Sequence, residues 1–242
     1  MGVGAARYEA IVFDLDDTLI VEEAVAQRSL RAAAALLPGL DPDLVRETVL
    51  RHARRLWRAG PHHPICQAIG VSSWEGLWSS FSGGHPDLDG LRGWSPTYAP
   101  EVWQAALAEL GIDEGVPARR LDEAYRRAQW DGHTAIEGAQ PLVRDLRRAG
   151  IGIGLLTNGL ADIQRRKLEH AGLTGCFDAI VVSGEVGVGK PDRAVFELVR
   201  ADLGVDPSSL LMVGDSWSRD VRGALAAGWS AVWVAGGPAA PA

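Results

Sequence analysis

The sequence predicts an α/β protein: a Rossmann-like core of parallel strands with an α-helical cap domain inserted into it. Three observations carry that expectation. Over the last hundred residues, short apolar runs alternate with helical patterns. One further apolar run of the same character stands near the N-terminus. Between them lies a long stretch rich in Ala and Arg, helical in pattern and without a convincing strand. Strands spaced by helices imply βαβ units and a parallel sheet. The expected division is therefore residues 1–19 and 136–242 as the α/β core, with 20–135 as the inserted helical cap.

The elements follow in order. YEAIVFD (8–14) is the first strand. The insert then reads as helices at EEAVAQRSLRAAAALL, DLVRETVLRHARRLW, PEVWQAALAELG and ARRLDEAYRRAQW. Within it, SSFSGGHPDLDGLRGWSP (79–96) is rich in Gly, Pro and Asp and reads as a long loop. GAQPLVRDLRRAG (138–150) has a helical apolar pattern and ends in Gly, a usual stop. IGIGLL (151–156) is a buried strand, ADIQRRKLEHAG (161–172) a helix, and FDAIVVS (177–183) a strand. RAVFELVRADLG (193–204) is a helix with Pro191 just ahead of it. LLMVG (210–214), RDVRGALAAG (219–228) and WSAVWVA (229–235) complete the alternation.

Composition excludes several classes. With 242 residues, 47% of them hydrophobic, the chain can bury a substantial core. Against 24 basic residues stand 31 acidic ones, a net charge of −7, so the surface does not recruit nucleic acid or an anionic membrane by bulk attraction. No apolar stretch is long enough to span a bilayer. The start, MGVGAARYEA, lacks the pattern of a signal peptide and of a myristoylation site. Cys66 and Cys176 lie far apart and form no C-x-x-C, which suits a reducing compartment. A cytoplasmic protein is expected; oligomeric state is not legible.

Ligands of parallel α/β sheets bind at the carboxyl ends of the strands, so the residues that follow each strand matter most. After the first come Asp14, Asp16, Asp17 and Thr18; after the second, Thr157 and Asn158. After the third comes SGEVGVGKPD with Lys190; after the fourth, Asp215, with Asp220 five residues on. Each piece alone is an ordinary turn or helix cap. Four successive strand ends delivering carboxylates, a hydroxyl and a cation form a constellation. Clustered carboxylates repel, and a divalent cation with a lysine would relieve that repulsion. Magnesium suits such oxygen ligands and often bridges to phosphate. Phosphoryl transfer needs mainly positioning and charge neutralisation.

In that order, FDLDDT, TN, GKPD and GDSWSRD resemble the four motifs of the haloacid dehalogenase superfamily. The resemblance covers the sheet domain, roughly 8–19 and 136–235, and the helical insert sits where that family's C1-type cap belongs. It implies that Asp14 is the nucleophile and Asp16 the general acid/base. Thr157 would bind the phosphoryl group with Asn158 beside it, and Lys190 would neutralise charge on nucleophile and phosphate. Asp14, the backbone carbonyl of Asp16, and Asp215 would hold Mg2+, with Asp220 supporting Lys190 or a metal-bound water. The resemblance also implies that Asp at the second position after the nucleophile marks phosphatases and mutases. A phosphatase acting on a small phosphomonoester is the leading expectation. A phosphomutase and a catalytically silent binding protein are the alternatives.

This reading also settles an imitation. Gly184, Gly189 and Lys190 nearly spell a nucleotide-binding loop, but Pro191 stands where that loop needs a hydroxyl. In the insert, Trp74, Trp78 and Trp94 are candidates for lining a leaving-group pocket. His62 and His63 read as a surface turn. Arg51, Arg54, Arg55 and Arg58, at helical spacing, read as a solvated face, one of which could contact a second anionic group of a substrate. His133 and Glu137 stand near the return to the core, as hinge candidates.

Overall fold

The computed structural model describes residues 8–112 and 118–234; the first seven residues, Ala235 and the GGPAAPA tail lie outside them. Five strands form one sheet: β1 (Ala10–Phe13), β2 (Gly152–Thr157), β3 (Ala179–Val182), β4 (Leu210–Gly214) and β5 (Ser230–Trp233). Their order is β3-β2-β1-β4-β5, and every pair is parallel. β1 is central: Val12 lies between Gly154 of β2 and Met212 of β4. The strand order reverses at β1, between β2 and β4, which makes its carboxyl end the crevice where ligands bind.

Helices cover both faces of the sheet, as a parallel sheet requires. α6 (Ala139–Arg148) and α7 (Ala161–His170) pack on one side, where Phe13, Leu15, Val143, Ile153, Leu155 and Leu168 share an apolar cluster. α9 (Arg193–Leu203) and α10 (Arg222–Ala226) cover the other, with Val12, Leu156, Phe196, Val199 and Met212. Between β3 and α9 runs the short helix α8 (Ser183–Val186). α9 shows how local chemistry sets a boundary. Asp192 accepts from the Ala194 N–H at 2.9 Å to start it, and Gly204, at φ 67°, ends it in the left-handed conformation that glycine tolerates.

Between β1 and β2 the chain forms a layer of helices: α1 (Glu23–Ala34), α2 (Pro42–Ala59), α3 (His63–Ala68), α4 (Asp89–Glu109) and α5 (Ala118–Gly132). A third apolar cluster packs these helices together, including Leu30, Val49, Trp57, Leu91, Tyr98, Trp103 and Tyr125, and it reaches Leu160 and Ile163 at the start of α7. Two strands of chain join the helical layer to the sheet side by side, with Val21 N–H donating to Thr134 O at 3.0 Å and Ile136 N–H to Leu19 O at 2.9 Å.

One expectation fails here. The stretch read as a loop to residue 96 becomes helical at Asp89, and α4 runs through Pro96 and Pro100. An interior proline costs a helix about 3 kcal/mol. Leu91, Tyr98, Val102 and Trp103 recur at helical spacing and are all buried, and a fully buried large apolar side chain returns about 1.5–3 kcal/mol. Burial of that stripe outweighs the breakers. Elsewhere the strands shift by one or two residues from their expected ends, and the pattern RDVRGALAAG splits into a π-type turn, Trp217–Val221, followed by α10.

Candidate active site

A cavity of about 600 Å³ opens at the carboxyl end of the sheet, between the strand ends and the helical layer. The sheet side supplies Asp14, Asp16, Asn158, Lys190, Asp215 and Asp220; the helical layer supplies Trp57, Arg58, His63 and Trp74.

At its floor, Lys190 Nζ lies 2.6 Å from Asp14 Oδ1 and 2.7 Å from Asp220 Oδ1. Burial opposes the charge on Lys190, but the two carboxylates overcome it and hold the ammonium above its usual range. Asp14 is pushed the other way: burial raises it well above the carboxylate range, Lys190 offsets part of this, and Asp220 and Asp16 add to it. Asp215 is raised to about 6, first by burial and then by Asp220 and Asp17.

Each of these groups is fixed by its neighbours. Asp220 Oδ2 accepts from the Ser216 N–H at 2.8 Å, which closes the turn after β4, and a Cβ on Gly214 would strike the Asp220 carboxylate. The loop of Lys190 is tied to β2 through Asn158, whose Nδ2 donates to Lys190 O at 2.9 Å and whose Oδ1 accepts from Lys190 N–H at 2.7 Å. Gly189 permits that approach: a Cβ there would sit 2.7 Å from Asn158 Oδ1. Asn158 lines the cavity, but its amide is engaged at both ends by the lysine loop. Asp17, at φ 53°, also lines the cavity, and its carboxylate accepts from the Glu22 N–H at 2.9 Å, so it shapes the entry to α1.

Asp16 carries a network that the sequence reading missed. Its Oδ1 accepts from Lys167 Nζ at 2.9 Å and its Oδ2 from Gln164 Nε2 at 2.9 Å. Burial raises Asp16 above the ordinary range, with Lys167 pulling against it. Lys167 is fully buried and also meets Glu22 Oε2 at 2.8 Å, which in turn lies 2.8 Å from His133 Nε2. Glu22 and His133 stand at the two crossings between sheet and insert. Thr157 is fully buried beneath the cavity, and its Oγ1 is held by Gln164 Nε2 at 2.6 Å rather than turned toward the cavity.

In the helical layer several residues lie where the sequence pattern does not put them. His63 does not sit on a surface turn; it begins α3 and lines the cavity. Trp74 lines it as well, whereas Trp78 is buried against His133, ring centroids 5.5 Å apart, and Trp94 packs on Tyr98 at 4.6 Å. The second tryptophan at the cavity is Trp57. Arg51, Arg54, Arg55 and Arg58 are all exposed and share one open groove on α2, as expected of a solvated face; Arg54 and Arg58 also line the cavity, while Arg51 pairs with Glu109 at 2.7 Å. Glu137 is exposed and stands apart from the His133 pair. A buried acid, Glu75, also lines the cavity; burial raises it to about 7.

The donor set fits a hard divalent cation. One carboxylate oxygen from each of Asp14, Asp215 and Asp220 lies within 4.8 Å of the others. Oxygen ligands of this kind suit magnesium, and such an ion would favour the ionised forms of Asp14 and Asp215, which burial and the neighbouring carboxylates disfavour.

Comparison with known proteins agrees with this geometry. The family model for hydrolases of the haloacid dehalogenase-like type matches residues 8–228. A phosphoserine phosphatase of Thermus thermophilus is 38% identical over 226 residues, 93% of this chain and 87% of the other. A glyceraldehyde 3-phosphate phosphatase of Methanopyrus kandleri is 29% identical over 229 residues, 93% of this chain and 83% of the other. Among solved structures, the magnesium-bound HAD-hydrolase YfnB of Bacillus subtilis superposes with a TM-score of 0.64 at 24% identity, covering 98% of this chain and 91% of that one. Sheet order, strand-end constellation and sequence matches agree: the chain belongs to the haloacid dehalogenase-like hydrolases.

Proposed function

We propose that the chain is a magnesium-dependent phosphatase that hydrolyses a small phosphomonoester through an aspartyl-phosphate on Asp14. The observation that carries this reading is the placement of Asp14 against Lys190 at 2.6 Å, with a second, raised carboxylate, Asp16, two residues on in the same cavity. The phosphatase names of the 38% and 29% identical relatives support it.

The Asp14 carboxylate attacks phosphorus as the bond to the leaving oxygen breaks. Asp16 gives its proton to that oxygen, a role suited to a carboxyl that burial keeps protonated to higher pH. Asp16 then takes a proton from the water that attacks the aspartyl-phosphate, which frees inorganic phosphate and restores Asp14. Lys190 balances negative charge on Asp14 and on the phosphoryl oxygens, and Asp220 holds the ammonium in place. Thr157 would contact the phosphoryl group once its hydroxyl turns from Gln164. Asp14, the Asp16 carbonyl and Asp215 would hold magnesium, which would supply further neutralisation of negative charge at the phosphoryl group.

Residues 20–135 act in this reading as a cap that meets the leaving group. The free thiols of Cys66 and Cys176 support a reducing, cytoplasmic setting. No helix among the described residues is long and apolar enough to cross a membrane.

Phosphate release from a panel of phosphomonoesters, with magnesium and with a chelator, tests the proposal. Release that requires magnesium is expected. Release that survives its removal contradicts the ligand assignment.

A further inference from the structure

The helix α2 treats its arginines in two ways. Arg46 lies 3.4 Å from Asp43 and 3.6 Å from Glu47; Arg51 meets Glu109 at 2.7 Å; Arg55 reaches His52 at 3.3 Å. These three have partners and do not line the cavity, although they share a second, open groove with Arg54 and Arg58. Arg54 and Arg58, one helical turn apart, line the cavity, and neither has a hydrogen-bond or ion-pair partner among the described residues. Trp57, between them in sequence, lines it too and is 4% exposed, so this part of the wall is anchored in the core of the helical layer.

A pair of free guanidiniums beside a catalytic centre is an unfilled charge complement. The floor of the cavity already neutralises its own carboxylates through Lys190 and, in the reading above, magnesium. Arg54 and Arg58 do not reach that floor: no carboxylate lies within 4 Å of either among the described residues. Guanidinium presents a planar fork of donors that matches a carboxylate or a phosphate. A cavity of about 600 Å³ is large enough for a small ligand spanning both regions.

We propose that Arg54 and Arg58 form a subsite for a second anionic group on the leaving portion of the substrate, so that the enzyme prefers phosphomonoesters carrying a carboxylate or a second phosphate. This rests on the phosphatase reading, and the subsite adds selectivity to it. A third unpartnered guanidinium, Arg219, lines the cavity from the catalytic side next to the turn after β4, and the test separates it.

The test uses substrates that differ by one anion. Phosphoserine and phosphoethanolamine differ only in a carboxylate; 1,3-propanediol bisphosphate and 3-hydroxypropyl phosphate differ only in a second phosphate. The expected result is a kcat/KM about tenfold or more higher for the anionic member of at least one pair, the scale of a charge-assisted hydrogen bond. That ratio collapses in Arg54→Gln/Arg58→Gln and persists in Arg55→Gln, on the same helix but outside the cavity. The pair that discriminates identifies the anion. Equal rates within both pairs overturn the subsite, as does a preference that survives the double variant or is lost instead in Arg219→Gln. Failure of the phosphatase reading looks different: no ester is turned over. The subsite is then read by calorimetric binding of the same four compounds to Asp14→Asn, where an Arg-dependent preference for the anionic member upholds it and its absence overturns it.

Discussion

Asn158 and Lys190 hold each other by two opposed hydrogen bonds, Nδ2–H to O at 2.9 Å and N–H to Oδ1 at 2.7 Å, so that one side chain imitates a neighbouring strand for the lysine loop. The lysine's charge is useful only if that loop stays fixed, because Nζ must remain between Asp14 and Asp220. Asn158→Ala removes both bonds. We expect kcat to fall roughly 10- to 100-fold, the scale of a misplaced catalytic group, while Asn158→Asp recovers little because a carboxylate cannot donate to Lys190 O. Steady-state kinetics of both variants, with magnesium saturating, checks this; an unchanged kcat contradicts it.

Lys167 joins Asp16 to the crossing between sheet and insert. Removing one partner of a buried ion pair leaves the other charge uncompensated, at a cost of about 3–5 kcal/mol. Lys167→Met should lose stability on that scale by urea unfolding, and lose kcat because Asp16 is no longer held. Adding Glu22→Gln to the same chain should return part of the stability and none of the activity. Equal stability of Lys167→Met and the native chain would contradict the network.

Glu75 gives a pH dependence with a definite sign. Its folded value, about 7, lies above its ordinary 4.5, so between these values the folded chain binds more protons than the unfolded one. Its contribution to stability therefore falls as pH rises from about 4.5 to 7. Glu75→Gln removes the ionising group while keeping an acceptor for Ser72. The variant's stability relative to the native chain should improve by on the order of 1–3 kcal/mol between pH 5 and pH 8. Urea unfolding at the two pH values checks it, and a difference that does not change with pH refutes it.

The tryptophans separate by place. Trp74→Ala opens the cavity wall and should raise KM or change substrate ranking. Trp78→Ala leaves a hole against His133 and should cost about 3–5 kcal/mol of stability, with little change in specificity. Thermal unfolding beside a substrate panel distinguishes the two, and a reversed pattern would contradict the cavity boundary.

The sheet was legible because each strand is a short apolar run bounded by glycine-ended helices, and because ligands of such sheets gather at strand ends. Asp14, Asp16, Lys190, Asp215 and Asp220 meet there for that reason. What lay beyond the sequence were partners fixed by packing. Gln164 and Lys167, three apart on α7, point inward together, yet in the pattern ADIQRRKLEHAG they look like any polar positions on a helix. Their faint signal is that they flank the apolar positions Ile163 and Leu168, both buried. Thr157 could be named from the motif, but its bond to Gln164 depends on that turn of α7. The start of α4 was hidden by Pro96 and Pro100, which argue locally for a loop and are overruled by buried Leu91, Tyr98 and Trp103. Arg54 could not be told from Arg55 by helical spacing alone, since only the neighbouring layers decide which side faces the cavity.

The central claim is that Asp14 carries the phosphoryl group. A single-turnover reaction with a hydrolysed ester, quenched in acid, followed by peptide mass spectrometry, tests it most directly. The account predicts one phosphoryl group on the peptide containing Asp14, formed and lost at rates compatible with turnover, and no turnover by Asp14→Asn. Phosphate release that persists in Asp14→Asn, or a phosphoryl group on another residue, would contradict it.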